Sequence, residues 1–232
     1  MLECLNEDIW FGKIEKIFKK DVEEFQALKA FLHENYKKLI NIFDFYSGFS
    51  DYPVINMMDV TSFSHKCNIL DPNYLKLADH DLILIATNVT HHQYLKSEER
   101  NLQRYEFLEF LLRIAIYRYI EPNRILKTKQ EALERLLEDL VYPNASEMDG
   151  DKFRKYYCYN VGTDTILKKN EVPIRKLYDS FLNIKKKYLT MDEMKHFVRK
   201  CDLNISELYT GAIYAECMMT IVDTIRDPTK TN

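Results

Sequence analysis

Glycine and proline are scarce in this 232-residue chain, at five and six residues, and no apolar run approaches the length of a membrane span. That scarcity excludes collagen-like and low-complexity disordered classes, whose compositions lean on those two residues. The chain also lacks charge of one sign. Its formal net charge is -3, with basic residues mixed evenly among acidic ones, so nucleic acid is not expected as a partner. The one basic run, Lys185 to Lys187, reads as a solvated loop after a helix. Met1 to Asp8 is acidic and lacks the profile of a secretory leader, so no membrane partner is expected either.

Cysteines are few and scattered. Cys4, Cys67, Cys158, Cys201 and Cys217 make an odd number with no CxxC spacing, which argues against a zinc site or a disulfide framework and for a reducing, cytoplasmic setting. The Asn-x-Ser/Thr triplets at Asn88, Asn144 and Asn204 are accordingly expected to be unmodified. There is no glycine-rich phosphate loop, no HExxH and no GxSxG, so the expectation is that the protein is not an enzyme. His91 and His92 with Glu98 or Glu99 could form a metal site, but adjacent side chains point in different directions and a polar surface loop accounts for them. No metal site is expected.

Helical periodicity, by contrast, is abundant. Apolar residues recur at three- and four-residue spacing at Ile14, Ile17, Phe18, Val22 and Phe25, and again from Leu28 to Phe43, predicting two amphipathic helices. A turn-rich segment from Ser47 to Pro53 precedes a short apolar step, Val54-Ile55, and a helix from Met57 to Cys67. Leu77 to Thr87 is helical in length, Leu102 to Ala115 is apolar on more than one side and so buried, and a further helix falls around Glu131 to Leu140. Pro173 to Ile184, Thr190 to Cys201 and Ser206 to Ile225 complete the set, with Ser206 as a cap. The expected organisation is an N-terminal lobe at 1–120, a helical linker at 121–172 and a C-terminal lobe at 173–232.

A shift of 134 residues superposes Met57 on Met191, Asp59 on Glu193, Phe63 on Phe197, Lys66 on Lys200 and Cys67 on Cys201, with Ile55 on Leu189. With four residues inserted in the first loop, Lys38, Leu39 and Phe43 fall on Lys176, Leu177 and Phe181. A helix, loop, helix unit therefore occurs twice. The EF-hand fits it: an entering helix, a loop whose eighth residue is apolar and pairs with a sister loop, and an exiting helix that begins near an acidic twelfth position. Three such units can be placed, with eighth positions Ile55, Leu102 and Leu189 and twelfth positions Asp59, Glu106 and Glu193. The helix from Ser206 would enter a fourth, incomplete hand. The expected fold is all-α, with paired calmodulin-like EF-hands in two lobes.

Calcium requires several oxygen ligands at alternate loop positions and a glycine at the sixth. The loop ending at Glu193 offers Leu182, Ile184, Lys186 and Lys187 at its first, third, fifth and sixth positions, and the loop ending at Glu106 offers Leu95, Ser97, Glu99 and Arg100. The loop ending at Asp59 offers Gly48, Ser50, Tyr52 and Pro53, leaving Asp44 and Asp51 as ligands only for an irregular, longer loop. The calcium loops are degenerate, and neither calcium nor any other cofactor is expected to be bound.

Leu77 to Asn88 and Arg104 to Ala115, with Phe153-Arg154-Lys155-Tyr156-Tyr157, Leu177 to Phe181 and Cys217 to Asp223, resemble degenerate calmodulin-like EF-hand proteins of ciliates and related flagellated eukaryotes. The resemblance covers about residues 28 to 225. It implies a non-catalytic, structural or adaptor subunit of a ciliary axoneme, a microtubule-associated cytoskeletal assembly, that binds protein partners.

Met57, Met58, Met191, Met194, Met218 and Met219 fill core gaps or line an adaptable groove for a partner helix. The incomplete last hand favours such a groove at Ile213, Cys217, Met218 and Ile221, to be covered by a partner helix or a homodimer. Burying these four side chains would contribute roughly 1.5–3 kcal/mol each before ordering costs. Two rival readings stay open: a calcium-responsive sensor using the irregular first loop, and an enzyme whose site assembles from scattered acidic and histidine residues.

Overall fold

The computed structural model describes residues 2–11, 14–18, 21–50, 53–88, 101–121, 125–147, 152, 154–183, 188–206, 209–211, 213–215, 217 and 218. It is mostly helical, as the periodicity predicts, and divides into two compact units, Met1–Glu147 and Met148–Asn232.

In the first unit, α1 (Leu2–Phe11) and α2 (Ile14–Ile17) precede the long helix α3 (Val22–Phe49). The two helices expected between residues 14 and 43 are thus divided differently. From Val22 to Ser47 the chain contains neither glycine nor proline, so nothing interrupts the backbone hydrogen bonds. Asp21 starts α3 by accepting from the Glu24 N–H at 3.0 Å, and Leu28, Leu32, Tyr36, Leu39 and Phe43 form its buried stripe.

A two-residue strand β1 (Ile55–Asn56) leads into α4 (Met57–Lys66), followed by α5 (Leu77–Asn88). Strand β2 (Asn101–Leu102) leads into α6 (Arg104–Tyr119). The strands pair antiparallel, Ile55 opposite Leu102 and Asn56 opposite Asn101. Helix α6 is the centre of the unit, with α1, α3, α5 and the next helix, α7 (Lys129–Leu136), packed on it. That explains why Phe107, Leu108, Phe110, Leu111, Leu112, Ile114 and Ala115 are all buried around its circumference. Phe107 lies 5.7 Å from the ring of Phe43 and 5.5 Å from that of Phe63, which in turn meets Tyr46 edge-on at 5.0 Å. Such tilted contacts contribute about 0.5–1.5 kcal/mol each beyond area burial.

Part of the expected linker belongs to this unit. Helix α7 continues through a π-helical turn, Leu137–Val141, into the short α8 (Tyr142–Asn144). Ala132, Leu133, Leu136, Leu137 and Val141 are buried at three- and four-residue spacing, a core stripe rather than a tether. Glu24 of α3 clasps the start of α7, accepting from the Lys129 N–H at 2.6 Å and from Lys129 Nζ at 2.5 Å.

The second unit contains a π-helical turn at Arg154–Cys158, α9 (Val161–Lys169), α10 (Glu171–Phe181) and α11 (Met191–Lys200). Asn160 caps α9 by accepting from the Thr163 N–H at 2.9 Å. Helices α10 and α11 meet through Phe181, whose ring stands at 89° to that of Phe197 at 5.3 Å. The described residues from 209 to 218 are helical, and the Ser206 hydroxyl accepts from the Tyr209 N–H at 3.3 Å, the cap expected from the sequence.

Candidate functional site

The residues singled out by the repeat lie at three junctions where a loop enters a helix. At the first, Asn56 precedes α4 and its Oδ1 accepts from the Asp59 N–H at 2.9 Å, while its Nδ2 donates to Asp59 Oδ2 at 2.7 Å. The Ser50 hydroxyl donates to the same Asp59 oxygen and accepts from the Asn56 N–H at 3.1 Å. The third and twelfth loop positions, which a cation would bridge in a calcium-binding hand, are therefore joined directly by a side-chain hydrogen bond. At the second junction the Gln103 N–H donates to Glu106 Oε2 at 2.8 Å. At the third the Thr190 N–H donates to Glu193 Oε2 at 2.7 Å, and the Glu193 N–H returns a bond to Thr190 Oγ1 at 3.3 Å. The Glu106 and Glu193 carboxylates thus cap the helices that they open, whereas at the first junction Asn56 is the cap and the Asp59 carboxylate holds the Asn56 and Ser50 side chains.

The exits of α4 and α11 repeat as closely as their entrances. The Cys67 N–H donates to the Phe63 carbonyl at 2.9 Å and the Cys201 N–H to the Phe197 carbonyl at 2.9 Å. The next residues, Asn68 and Asp202, have φ of 54° and 50°, a left-handed conformation that asparagine and aspartate tolerate better than most side chains. The following N–H of Ile69 returns to Ser64, and that of Leu203 to Val198. This is the pattern in which a left-handed residue stops a helix and satisfies its last carbonyls.

Electrostatics at the second junction are unusual. Glu106 is 3 % exposed, and burial first, then the nearby Glu109, pushes its carboxyl up to about 7, against a hydrogen bond from Gln103 that acts the other way. A carboxyl this buried, already accepting from the Gln103 N–H, is poorly placed to meet a hydrated cation. Among the described residues no group of three or more histidine, cysteine, aspartate or glutamate side chains could hold a metal ion. Asp44 is buried within α3. Asp51, Tyr52, Leu95, Ser97, Glu98, Glu99, Arg100, His91, His92, Ile184 and Lys185 to Lys187 lie outside the described residues.

Two polar clusters were not legible in the sequence. Ser64, His80 and Asp81 form a chain: His80 Nε2 is 2.9 Å from Ser64 Oγ and Nδ1 is 3.1 Å from Asp81 Oδ1. Because a carboxylate accepts, Nδ1 carries the hydrogen and the serine hydroxyl donates to Nε2. The order resembles a hydrolytic triad, yet Ser64 and His80 are both fully buried and the His80 ring packs edge-on to Phe110 at 5.4 Å, so no substrate reaches the hydroxyl. Burial holds the imidazole below its ordinary value, opposed by Asp81. The cluster ties α5 to α4 and α6.

The second is Asp8, 3 % exposed, which accepts from the Tyr36 hydroxyl at 2.6 Å and from Arg104 Nε and Nη2 at 2.7 and 3.0 Å. Burial, reinforced by Asp8, raises the Tyr36 phenol. This bidentate pair joins α1 to α6, and the Tyr36 bond ties α3 to both.

Of the expected groove, Ile213 and Met218 are half-buried and Cys217 is exposed, while Ile221 lies outside the described residues. Cys67 is buried and its thiol is pushed up to about 12, an inert packing residue, whereas Cys201 is half-buried. A larger apolar surface of the second unit escaped the sequence reading. Val161, Ile166 and Val172 are more than half exposed, and Leu167, Ile174 and Tyr178 line a cleft of about 360 Å3 with Glu171 and Arg175. No protein-family description, characterised protein or solved structure matches the chain. No described helix is long and apolar enough to cross a membrane.

Proposed function

We propose that this chain is a non-catalytic structural adaptor built from EF-hand-like helix, loop, helix units that keep their shape without calcium, and that it works within a ciliary, axonemal, microtubule-associated complex. The observation that carries the calcium-independent reading is that each twelfth-position carboxylate is taken up locally, Glu106 and Glu193 as helix caps and Asp59 by Asn56 and Ser50, which closes the first loop where a cation would otherwise bridge it. The antiparallel pairing of Ile55 with Leu102 supports an EF-hand-like pair, because paired loops of that kind meet at their eighth residues. The adaptor reading is supported by the exposed apolar side chains of α9 and α10, which suit the docking of protein partners. The ciliary assignment rests on the sequence resemblance of residues 77–88 and 104–115.

The test is to tag the protein in its native cell, separate cilia from cell bodies, and extract the cilia with detergent and salt. Retention with axonemal microtubules is the expected result, and the co-purifying proteins would name the partners. Recovery only in the cell body would end the ciliary assignment.

A further inference from the structure

The even mixing of charge read along the whole sequence fails in one place. Residues 154–181 carry six basic and three acidic side chains, against a formal net charge of -3 for the chain. Two of those acids face cations of their own helices: Asp164 Oδ2 lies 2.9 Å from Lys168 Nζ, and Glu171 Oε1 lies 3.9 Å from Arg175 Nη2. Lys155, Lys169 and Lys176 are exposed and have no carboxylate partner among the described residues. The stretch is therefore a positive island on a slightly negative chain.

The same stretch carries the exposed apolar surface of the second unit. From Val161 to Ser180 every residue except the half-buried Thr163 is exposed. Leu167 of α9 and Ile174 and Tyr178 of α10 form the apolar wall of the cleft of about 360 Å3, and Arg175 stands in its lining. The gap of 3.9 Å to Glu171 exceeds hydrogen-bond length, and Arg175 makes no hydrogen bond among the described residues, so its planar donors are available to a carboxylate. A concave apolar site with a guanidinium in its lining selects a protruding apolar side chain beside a carboxylate. A flat lipid surface would leave the cleft unfilled.

We propose that the cleft of α9 and α10 docks an acidic segment of a protein partner. An apolar side chain of that segment enters between Leu167, Ile174 and Tyr178, and a neighbouring carboxylate meets Arg175. This rests on the adaptor reading above and names the chemistry of one partner, with the surrounding lysines favouring negative charge on either side of the anchor.

The experiment is fluorescence anisotropy of the full chain with a labelled, glutamate-rich synthetic peptide carrying one leucine and one phenylalanine. Saturable binding that weakens as salt rises is expected, because exposed charges are screened. Ile174→Ser and Arg175→Glu should each weaken it at least about tenfold, while Leu82→Ser, at an exposed apolar residue of the first unit, should leave it unchanged. A lysine-rich peptide with the same two apolar residues should not bind the native chain but should bind Arg175→Glu better, a gain that an unfolded variant would not show. No saturable binding of the acidic peptide overturns the proposal, and so does binding that neither Ile174→Ser nor Arg175→Glu weakens. Phosphatidylserine vesicles or a single-stranded oligonucleotide bound in place of the peptide would overturn it too, and would assign the surface to lipid or to nucleic acid. Retention with axonemes is read separately, so loss of peptide binding with retention intact rejects this partner chemistry and not the adaptor reading.

Discussion

The junctions at Met57–Lys66 and Met191–Lys200 share their caps, their stops and their left-handed exit residues, but the first is enclosed by packed side chains and the second is open. Among the described residues Val198 and Ala215 are the buried apolar side chains of the second unit, whereas the first buries side chains from Leu5 to Val141. Local hydrogen bonds are thus set by sequence within a few residues of each junction. Burial depends on what lies opposite, which for α4 is the strand and helices of its own unit. The apolar side chains left exposed in α9 and α10 contribute less toward the entropy cost of ordering those helices than buried ones would.

The sharpest way to break this contrast is truncation. Phe107→Ala, at the meeting of three rings, should cost about 3–5 kcal/mol in urea unfolding of the first unit, while Ile174→Ala, 47 % exposed, should change stability by no more than about 0.5 kcal/mol. Equal effects would mean that the two units are packed alike. A smaller effect is expected at the caps, where burial matters less: Asn56→Ala and Thr190→Ala should each cost about 0.5–2 kcal/mol, and a large loss at only one of them would contradict the equivalence of the junctions.

Smaller still is a pH effect confined to the first unit. The Glu106 carboxyl has an ordinary value of 4.5 and is held near 7 when folded, so the unfolded chain ionises first and stability falls as pH rises from about 4.5 to about 7. Glu106→Gln, which can still accept from the Gln103 N–H, should flatten that fall in denaturation curves measured across this range. His80 acts with the opposite slope. Its folded value lies below the ordinary 6.5, so the unfolded chain takes up the proton first, and stability is lost as pH falls below about 6.5. A wild-type profile unchanged by Glu106→Gln would mean that the carboxyl is not buried as described.

Much of the first unit could be read from spacing alone. Helices were expected over 57–67, 77–87 and 102–115 because their apolar residues recur with a helical period, and Ile55 and Leu102 were matched by their places before acidic cap positions. The continuous α3 was less legible, since a periodic pattern does not show whether two amphipathic stretches are one helix. The clusters at Asp8 and His80 were not legible at all: Asp8 and Arg104 lie 96 residues apart and Ser64 and His80 lie 16 apart, and no local rule pairs them. Residues 125–147 looked like a linker because the charged face of α7 masks its narrow buried stripe. In the second unit the same amphipathic signal marked helices correctly but not their exposure, because an exposed apolar stripe reads in sequence like one that faces a core.

The claim on which the account depends most is that the loops are closed by their own side chains and not by calcium. Calorimetric titration of calcium into the full chain, after exhaustive chelation, tests it directly. The account predicts no saturable heat and the same thermal unfolding with calcium as with chelator. Saturable micromolar binding, with unfolding shifted upward, would contradict it and favour a calcium-responsive sensor.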